Sequence, residues 1–143
     1  MAIRKATLED YDEIMAIWES SVQTGPNALS KKEVAYFKTI IPDTYLPLLD
    51  VYIVDEEGPK AFIGITESNI ELLYVAFEAR SRGYAKGLVD FVVRECSVTK
   101  VDVRDNDPDA VALYKHLGFE EVGRDVISGG DTAGYMLHLA LRG

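Results

Sequence analysis

Apolar residues recur at helical spacing in four segments of the chain. The first segment carries apolar residues three or four positions apart, at Leu8, Tyr11, Ile14, Met15 and Trp18. Three of the four segments follow a residue that commonly caps a helix, and the last also has proline at its first position. The predicted helices run from the Thr7 cap to about Glu19, from the Ser30 cap to Ile41, from Gly83 to about Cys96, and from the Asp107 cap to Gly118.

Seven shorter segments have the apolar pattern of β-strands. They cover residues 2–6, 51–54, 60–66, 70–75, 99–104, 119–127 and 135–141. We expect a loop over residues 42–50, which contain two prolines, and a glycine-rich loop over residues 128–131. The order β-α-α-β-β-β-α-β-α-β-β predicts an α/β (α+β) fold with a mixed sheet covered by helices.

The length and charge of the chain indicate how many domains it has and which kinds of partner it can bind. The 143 residues include 15 Lys+Arg and 24 Asp+Glu, for a net charge of −9. Because there is no repeat and no Pro/Gly/Ser-rich linker, this length predicts one domain over residues 1–143. The acidic balance argues against a nucleic-acid partner, which requires a basic surface, and suits a cationic small molecule or peptide.

The sequence has no feature of a membrane or secreted protein. It contains no apolar run of about 18 residues and no signal peptide, so we expect no membrane association and a cytoplasmic location. The single cysteine, Cys96, excludes an internal disulfide. Because His116 and His138 are far apart and no Cys/His cluster exists, no metal site is predicted.

A short basic turn between a strand and a helix is the most informative segment. It follows the strand residues 73–75, and Arg80, Arg82 and Lys86 place three positive charges within seven residues of an acidic chain. The first N–H groups of a helix lack partners, and small residues allow a phosphate to approach them. The turn therefore indicates a phosphate site, with a solvated helix start as the alternative. Its glycine spacing matches neither a Rossmann fingerprint nor a P-loop.

Two motifs resemble those of the GNAT N-acetyltransferases. Residues 80–85, Arg-Ser-Arg-Gly-Tyr-Ala, match the family's Q/R-x-x-G-x-G/A turn. Residues 106–119 resemble its later Asn…Ala…Leu-Tyr…Gly-Phe signature, and the strand with Glu71, Leu73 and Val75 looks like its fourth strand. The resemblance implies the acyl-CoA N-acyltransferase fold, with a mixed, mostly antiparallel central sheet flanked by helices, and acetyl-CoA as the acetyl donor.

The resemblance also assigns residues to cofactor binding. In the family the turn holds the pyrophosphate of acetyl-CoA, and the main chain of the preceding strand pairs with the pantetheine arm. Asn106 matches an asparagine near the pantetheine, although a plain turn residue is the alternative. The chain departs from the family at Phe77, where proline is usual, and at Ser81, where glycine is frequent. The implied cofactor-binding residues are Leu73, Tyr74, Val75, Arg80, Ser81, Arg82, Gly83, Tyr84, Ala85, Lys86 and Asn106.

Acetyl transfer to an amine requires a base, because an amine with a pKa of about 10.4 is neutral in only about one molecule in 10³ at pH 7. Strand alternation predicts that Glu71 shares a face with Leu73 and Val75, where apolar neighbours would raise its pKa and suit it to this role, directly or through water. A solvated glutamate at a strand end is the alternative. The other carboxylates that stay open as bases or substrate ligands are Glu67, Glu78, Glu19 and Asp50.

Tyr114 is the candidate general acid. A phenolic O–H can donate a hydrogen bond or a proton to a departing thiolate. The family uses the tyrosine at this motif position in that role, and a core tyrosine is the alternative.

Together these residues predict an acetyl-CoA-dependent N-acetyltransferase. A primary amine of a small molecule or peptide would attack the thioester directly in a ternary complex. The alternatives are a non-catalytic acyl-CoA-binding regulatory domain on the same fold and an interaction protein with an accidental motif. By resemblance, Thr24–Leu49 borders the acceptor pocket, and Tyr36, Tyr45 and Tyr52, which we expect to be exposed, are its candidate aromatics. The oligomeric state stays open, with a homodimer as one alternative.

Overall fold

A computed structural model describes residues 1–24, 28–127 and 134–141, in which the predicted order of helices and strands is confirmed. The helices are α1 (Tyr11–Val22), α2 (Lys31–Ile40), α3 (Tyr84–Cys96) and α4 (Pro108–His116). The strands are β1 (Ile3–Lys5), β2 (Asp50–Asp55), β3 (Pro59–Thr66), β4 (Asn69–Val75), β5 (Lys100–Arg104), β6 (Phe119–Ile127) and β7 (Gly134–Leu141). The predicted loop at 128–131 and residues 25–27 of the acceptor segment lie outside the described residues.

The seven strands form one sheet in the order β1-β2-β3-β4-β5-β7-β6. Neighbouring strands are antiparallel except β4 and β5, which run parallel. These two strands pair only at Asn69–Lys100 and Ile70–Val101 within the described part of the chain. The carboxyl-terminal part of β4 therefore has an open edge on the side of β5.

Helices cover both faces of the sheet and bury its apolar side chains. On one face Trp18 of α1 reaches the hydroxyl of Tyr74, whose ring lies 5.6 Å from that of Phe62. On the other face Tyr52 packs against Phe91 of α3, with ring centroids 5.1 Å apart. Because neighbouring residues of a strand point to opposite faces, α1 and α3 enclose the sheet between them. Among the described residues, no helix is long and apolar enough to cross a membrane.

The first helix begins later than its apolar pattern predicted. Residues 8–10 form a 3-10 turn, and the α-helix begins at Tyr11. The Asp10 carboxylate accepts hydrogen bonds from the Thr7 N–H (2.8 Å) and from both terminal nitrogens of Arg4 (2.8 and 2.9 Å). These bonds connect the 3-10 turn to Arg4 of β1. The contacts of Asp10 therefore keep residues 8–10 out of the α-helix, although their apolar spacing fits it.

Residues 42–50 are more regular than the predicted loop. Ile41–Tyr45 form a π-helical turn and Leu46–Leu48 a 3-10 turn. These turns follow directly after α2, and Pro42 and Pro47, which have no N–H to donate, interrupt the regular α-helical hydrogen-bond pattern there. Leu46 is buried in the core, whereas Tyr45 and Leu48 of the same connection are exposed.

Candidate active site

The turn before α3 leaves a series of backbone N–H groups without partners. After a 3-10 turn over Phe77–Ala79, Ser81 and Gly83 adopt positive φ angles of 64° and 80°. Glycine takes this left-handed conformation without steric cost. Within the described residues, the N–H groups of residues 81–86 have no acceptor, and the first paired one is that of Gly87, which donates to Gly83 O (3.0 Å). Free donors at the positive end of a helix suit a pyrophosphate.

Three cationic side chains surround these amides, as the sequence predicted. Arg80, Arg82 and Lys86 are all exposed. Arg80 Nη2 donates to the Ser21 carbonyl at the end of α1 (3.1 Å), and Arg82 Nη2 donates to the Glu78 carbonyl (3.2 Å). The turn thus adds positive charge next to the free amides of an otherwise acidic chain.

Tyr84 anchors the first turn of α3 rather than exposing its side chain to a ligand. Its ring is buried, and its hydroxyl donates a hydrogen bond to Glu56 Oε2 (3.0 Å) in the turn between β2 and β3. Glu56 was not singled out from the sequence, because no spacing relates it to a residue 28 positions away. A contribution of Tyr84 to cofactor binding would come from its main chain, as for the half-buried Ala85.

The open edge of β4 lies next to this turn. Leu73, Tyr74 and Val75 are half-buried and pair on one side with β3, while their other side has no strand partner in the described residues. Asn106 lies in the exposed connection between β5 and α4, at the end of the neighbouring strand. An extended ligand with amide groups can pair with such an edge as an added strand.

Tyr114 of α4 lies beside this opening. Its side chain is only 3% exposed and its ring packs edge-on against Phe119 with centroids 5.4 Å apart. Burial raises the pKa of the Tyr114 hydroxyl above the ordinary tyrosine value, and the neighbouring Asp107 and Tyr74 add to the rise. The raised pKa keeps this hydroxyl protonated, and it makes no hydrogen bond within residues 1–24, 28–127 and 134–141, so its O–H can donate to a ligand.

A β-bulge changes the position of Glu71 from the one that strand alternation predicted. β3 and β4 pair Ile65 with Ile70 and Gly64 with Leu72, so Glu71 is an extra residue on β4. The bulge interrupts the two-residue period of the side chains. The prediction that Glu71 lies among apolar neighbours is therefore wrong, and its side chain is exposed.

The hydrogen bond of Glu71 shows which face of the sheet it occupies. Thr66 Oγ1 donates to Glu71 Oε1 (2.7 Å). By alternation along β3, Thr66 lies on the face of Tyr74, which α1 covers, whereas Leu73 and Val75 point to the face of α3. Glu71 thus lies on the side of the sheet that carries the predicted acceptor segment.

Comparisons with known proteins settle the family. Residues 51–136, more than half of the chain, match the model of the acetyltransferase (GNAT) domain. The chain belongs to the GNAT acetyltransferase family. It is 28% identical over 127 residues, 87% of each chain, to the peptidyl-lysine N-acetyltransferase YjaB of Salmonella typhimurium.

Two solved structures share the GNAT fold of this chain. The solution structure of apo-form YjaB from Escherichia coli has a TM-score of 0.78 and 23% identity, and the match covers 99% of this chain and 97% of that one. A phosphinothricin acetyltransferase from Sinorhizobium meliloti in complex with acetyl-CoA has a TM-score of 0.66 and 21% identity, covering 96% and 85%. The two structures confirm the predicted fold. Membership of the GNAT family confirms the N-acetyltransferase class and acetyl-CoA as co-substrate.

The remaining carboxylates singled out from the sequence are dispersed over this GNAT domain. Glu19 forms an ion pair with Lys38 (2.7 Å), and Asp50 forms one with Lys5 (3.3 Å). Glu67 lies in the tight turn between β3 and β4. Of these, the structure brings none to Tyr114 through a hydrogen bond or ion pair within the described residues.

Glu78 and the predicted acceptor aromatics have different surroundings. Glu78 lies in the 3-10 turn Phe77–Ala79 and, with Glu13, lines a cleft of about 230 Å³ beside α1. Tyr36 and Tyr45 are exposed on the predicted acceptor segment. Tyr52 is not exposed as predicted, because its ring packs against α3. In the described ranges no group of three or more His, Cys, Asp or Glu is arranged to hold a metal ion.

Proposed function

We propose that this GNAT domain transfers the acetyl group of acetyl-CoA to the side-chain amine of a lysine in a peptide or protein. One juxtaposition carries the chemistry: the free amides of residues 81–86, the open edge of β4 and the Tyr114 hydroxyl lie around one opening of the sheet. The lysyl acceptor is supported by the printed activity of the Salmonella relative. The exposed carboxylates of an acidic chain favour approach of such a cationic side chain.

The chain's own groups account for cofactor binding in this proposal. Acetyl-CoA, when bound, supplies the thioester that the amine attacks. The amides of residues 81–86, with Arg80, Arg82 and Lys86, hold the pyrophosphate. The open edge of Leu73–Val75 orients the pantetheine arm, and one N–H of this edge stabilises the negative charge that develops on the thioester oxygen.

Tyr114 acts on the departing thiolate as a hydrogen-bond donor. An unperturbed tyrosine has a pKa of about 10 and a thiol one of about 8.5, so full proton transfer is uphill by about 2 kcal/mol before burial raises the Tyr114 pKa further. A buried, neutral hydroxyl nevertheless stabilises negative charge on sulfur through its O–H. The proton that the thiolate finally takes up comes from the amine through solvent.

Glu71 is the proposed base for the amine, directly or through a water molecule. It lies on the α1 face of β4, and its Oε1 accepts from Thr66, which leaves Oε2 available. A carboxylate there attracts the ammonium form of lysine and accepts its proton as the attack begins. The bulge at Glu71 turns the carboxylate toward the acceptor side of the sheet.

Release of the CoA thiol in the presence of different amines tests the proposal. The acceptor panel contains a lysine peptide, the same peptide with lysine replaced by arginine, a peptide whose only amine is its N-terminus, free lysine, polyamines and aminoglycosides. We expect turnover with the lysine peptide and acetylation of its lysine by mass spectrometry. Turnover confined to another member of the panel would overturn the lysyl acceptor while leaving the acetyltransferase intact.

Binding without turnover distinguishes the non-catalytic alternative. Acetyl-CoA at 100 times its Kd should stabilise the folded chain by about 2.7 kcal/mol in thermal unfolding. Stabilisation without thiol release from any amine would favour an acyl-CoA-binding domain. Absence of stabilisation at saturating acetyl-CoA would contradict the cofactor site itself.

A further inference from the structure

Two contacts hold the Arg80 side chain at the turn before α3. Its guanidinium carbon lies 5.0 Å from the centroid of the Phe77 ring, and its Nη2 donates to the Ser21 carbonyl (3.1 Å). The Phe77 side chain is 51% exposed, so core packing does not account for an aromatic residue at this position. A guanidinium has five N–H donors, so the bond to Ser21 leaves the others available to a ligand.

We infer that Phe77 is a positioning residue for acetyl-CoA, whose ring holds the Arg80 guanidinium beside the free amides of residues 81–86. The inference rests on the proposed function, because it takes this turn to be the pyrophosphate site. A long cationic side chain loses rotamer freedom when it binds a phosphate. A guanidinium already held by an aromatic face loses less rotamer freedom on binding. The Phe77 ring therefore strengthens phosphate binding without any contact between Phe77 and the ligand.

The main chain of Phe77 is itself fixed by α1. The Phe77 N–H donates to Ser20 Oγ (3.2 Å), and Ser20 Oγ donates to the carbonyl of Ile17 (2.9 Å). The end of α1 therefore contacts the turn at two neighbouring residues, Ser20 and Ser21. Because this attachment fixes the backbone of Phe77, the ring stays in contact with the Arg80 guanidinium.

Arg82 provides an internal contrast on the same turn. Its Nη2 donates to the Glu78 carbonyl (3.2 Å), and no aromatic ring lies under its guanidinium within the described residues. Loss of the Phe77 ring should therefore weaken the contribution of Arg80 and leave that of Arg82 unchanged. This difference separates positioning from a general loosening of the turn.

The test is a pair of double-mutant cycles on acetyl-CoA binding, measured by isothermal titration calorimetry. Phe77→Leu keeps an apolar side chain but removes the aromatic face, and Phe77→Tyr keeps the face. An exposed cation–π contact corresponds to about two- to fivefold in Kd, so we expect Phe77→Leu to weaken acetyl-CoA binding by that factor and Phe77→Tyr to retain tight binding. In the Arg80→Ala background the effect of Phe77→Leu should disappear, whereas in the Arg82→Ala background it should persist in full.

A second donor distinguishes positioning from direct stacking of the ring on adenine. Acetyl-phosphopantetheine carries a phosphate but no adenosine. If Phe77 positions Arg80, Phe77→Leu should weaken the binding of both acetyl donors in the protein that keeps Arg80. In steady-state assays with a lysine peptide, the same substitution should raise the KM for the donor while kcat changes by less than about twofold.

Several results would overturn the inference. They are an unchanged Kd in Phe77→Leu, an undiminished effect of that substitution in the Arg80→Ala background, or an effect seen with acetyl-CoA and absent with acetyl-phosphopantetheine. Circular dichroism of each variant checks that it is folded, which the exposure of Phe77 leads us to expect. If the wild-type protein failed to bind acetyl-CoA, the proposed function would fall together with the inference, whereas tight wild-type binding with no effect at Phe77 would remove the inference alone.

Discussion

Tyr84, the first residue of α3, donates a hydrogen bond of 3.0 Å from its hydroxyl to Glu56 Oε2 in the turn between β2 and β3. The ring of Tyr84 is buried while Glu56 is partly accessible to solvent, so the bond forms at the boundary of the core. It fixes the start of α3 to the rim of the sheet. Since the amides of residues 81–86 belong to this same helix start, the bond also orders the proposed pyrophosphate site.

Removal of the Tyr84 hydroxyl tests this link. Tyr84→Phe keeps the buried ring and loses one hydrogen bond to a charged group, so we expect the free energy of unfolding to fall by about 1 kcal/mol, because solvent weakens the bond on the Glu56 side. Urea unfolding measures this change, and calorimetry should show weaker acetyl-CoA binding. Glu56→Gln keeps an acceptor and should lose less stability. Equal stability of wild type and Tyr84→Phe would contradict the proposed link.

Gly83 is the second feature that shapes the turn. Its φ of 80° lies in the left-handed region, and an added Cβ would meet no atom within 4 Å. Gly83→Ala should therefore destabilise the protein through backbone strain alone, by about 1–2 kcal/mol, and weaken acetyl-CoA binding. Asparagine tolerates this conformation better, so Gly83→Asn should cost less in urea unfolding. If the two variants were equally stable, strain would not be the cause.

Most of the fold could be predicted because local signals and tertiary contacts agree. Ser30 and Asp107 cap their helices as expected, with Ser30 Oγ accepting from the Glu33 N–H (3.2 Å) and Asp107 Oδ1 accepting from the Ala110 N–H (3.2 Å). The basic turn also lies where its composition indicated. In such segments each residue's own preference and its neighbours within four positions fix the structure.

The features that the sequence did not indicate depend on distant partners. The bulge at Glu71 follows from the register between β3 and β4, and a strand pattern alone carries no register. The contacts Tyr84–Glu56 and Arg80–Ser21 span 28 and 59 residues. Polar side chains without a period or motif give no signal of such contacts, and these are the contacts that position the candidate site.

Tyr114 can be tested by deleting its hydroxyl alone. Tyr114→Phe preserves the edge-on packing against Phe119 and removes the donor to the thiolate. We expect kcat to fall by about 10²–10³, as for the loss of one donor in a preorganised site, with little change in the Kd of acetyl-CoA. Stopped-flow or steady-state thiol release measures the rate. A variant with full activity would show that Tyr114 is a core residue with no part in the reaction.

Glu71 requires a test that separates proton abstraction from binding. Glu71→Gln keeps the size of the side chain and its hydrogen bond with Thr66, so the bulge should persist. We expect kcat/KM for the amine to fall by about 10²–10⁴ near pH 7 and the deficit to shrink as pH approaches the amine pKa of about 10.4, where the substrate deprotonates itself. Thr66→Ala is the control for lost structure and should stay active. A pH-independent deficit would point to substrate binding rather than base catalysis.

The surroundings of His138, which lies outside the candidate site, predict that the free energy of unfolding depends on pH. It lies on β7 between two carboxylates, with Nδ1 2.7 Å from Asp102 Oδ1 on β5 and Nε2 2.7 Å from Asp125 Oδ2 on β6. Only the protonated imidazole donates both hydrogen bonds, so the bond to Asp102 first, and then the bond to Asp125, raises the pKa of His138. Because the folded pKa exceeds the unfolded value of about 6.5, this stabilisation is fully present below pH 6.5 and is lost as pH rises through the folded pKa. The difference in unfolding free energy between wild type and His138→Gln should therefore decrease with increasing pH in urea titrations.

An NMR titration of the His138 ring should show a larger drop in pKa for Asp102→Asn than for Asp125→Asn. A wild-type pKa at or below 6.5 would refute the double hydrogen bond.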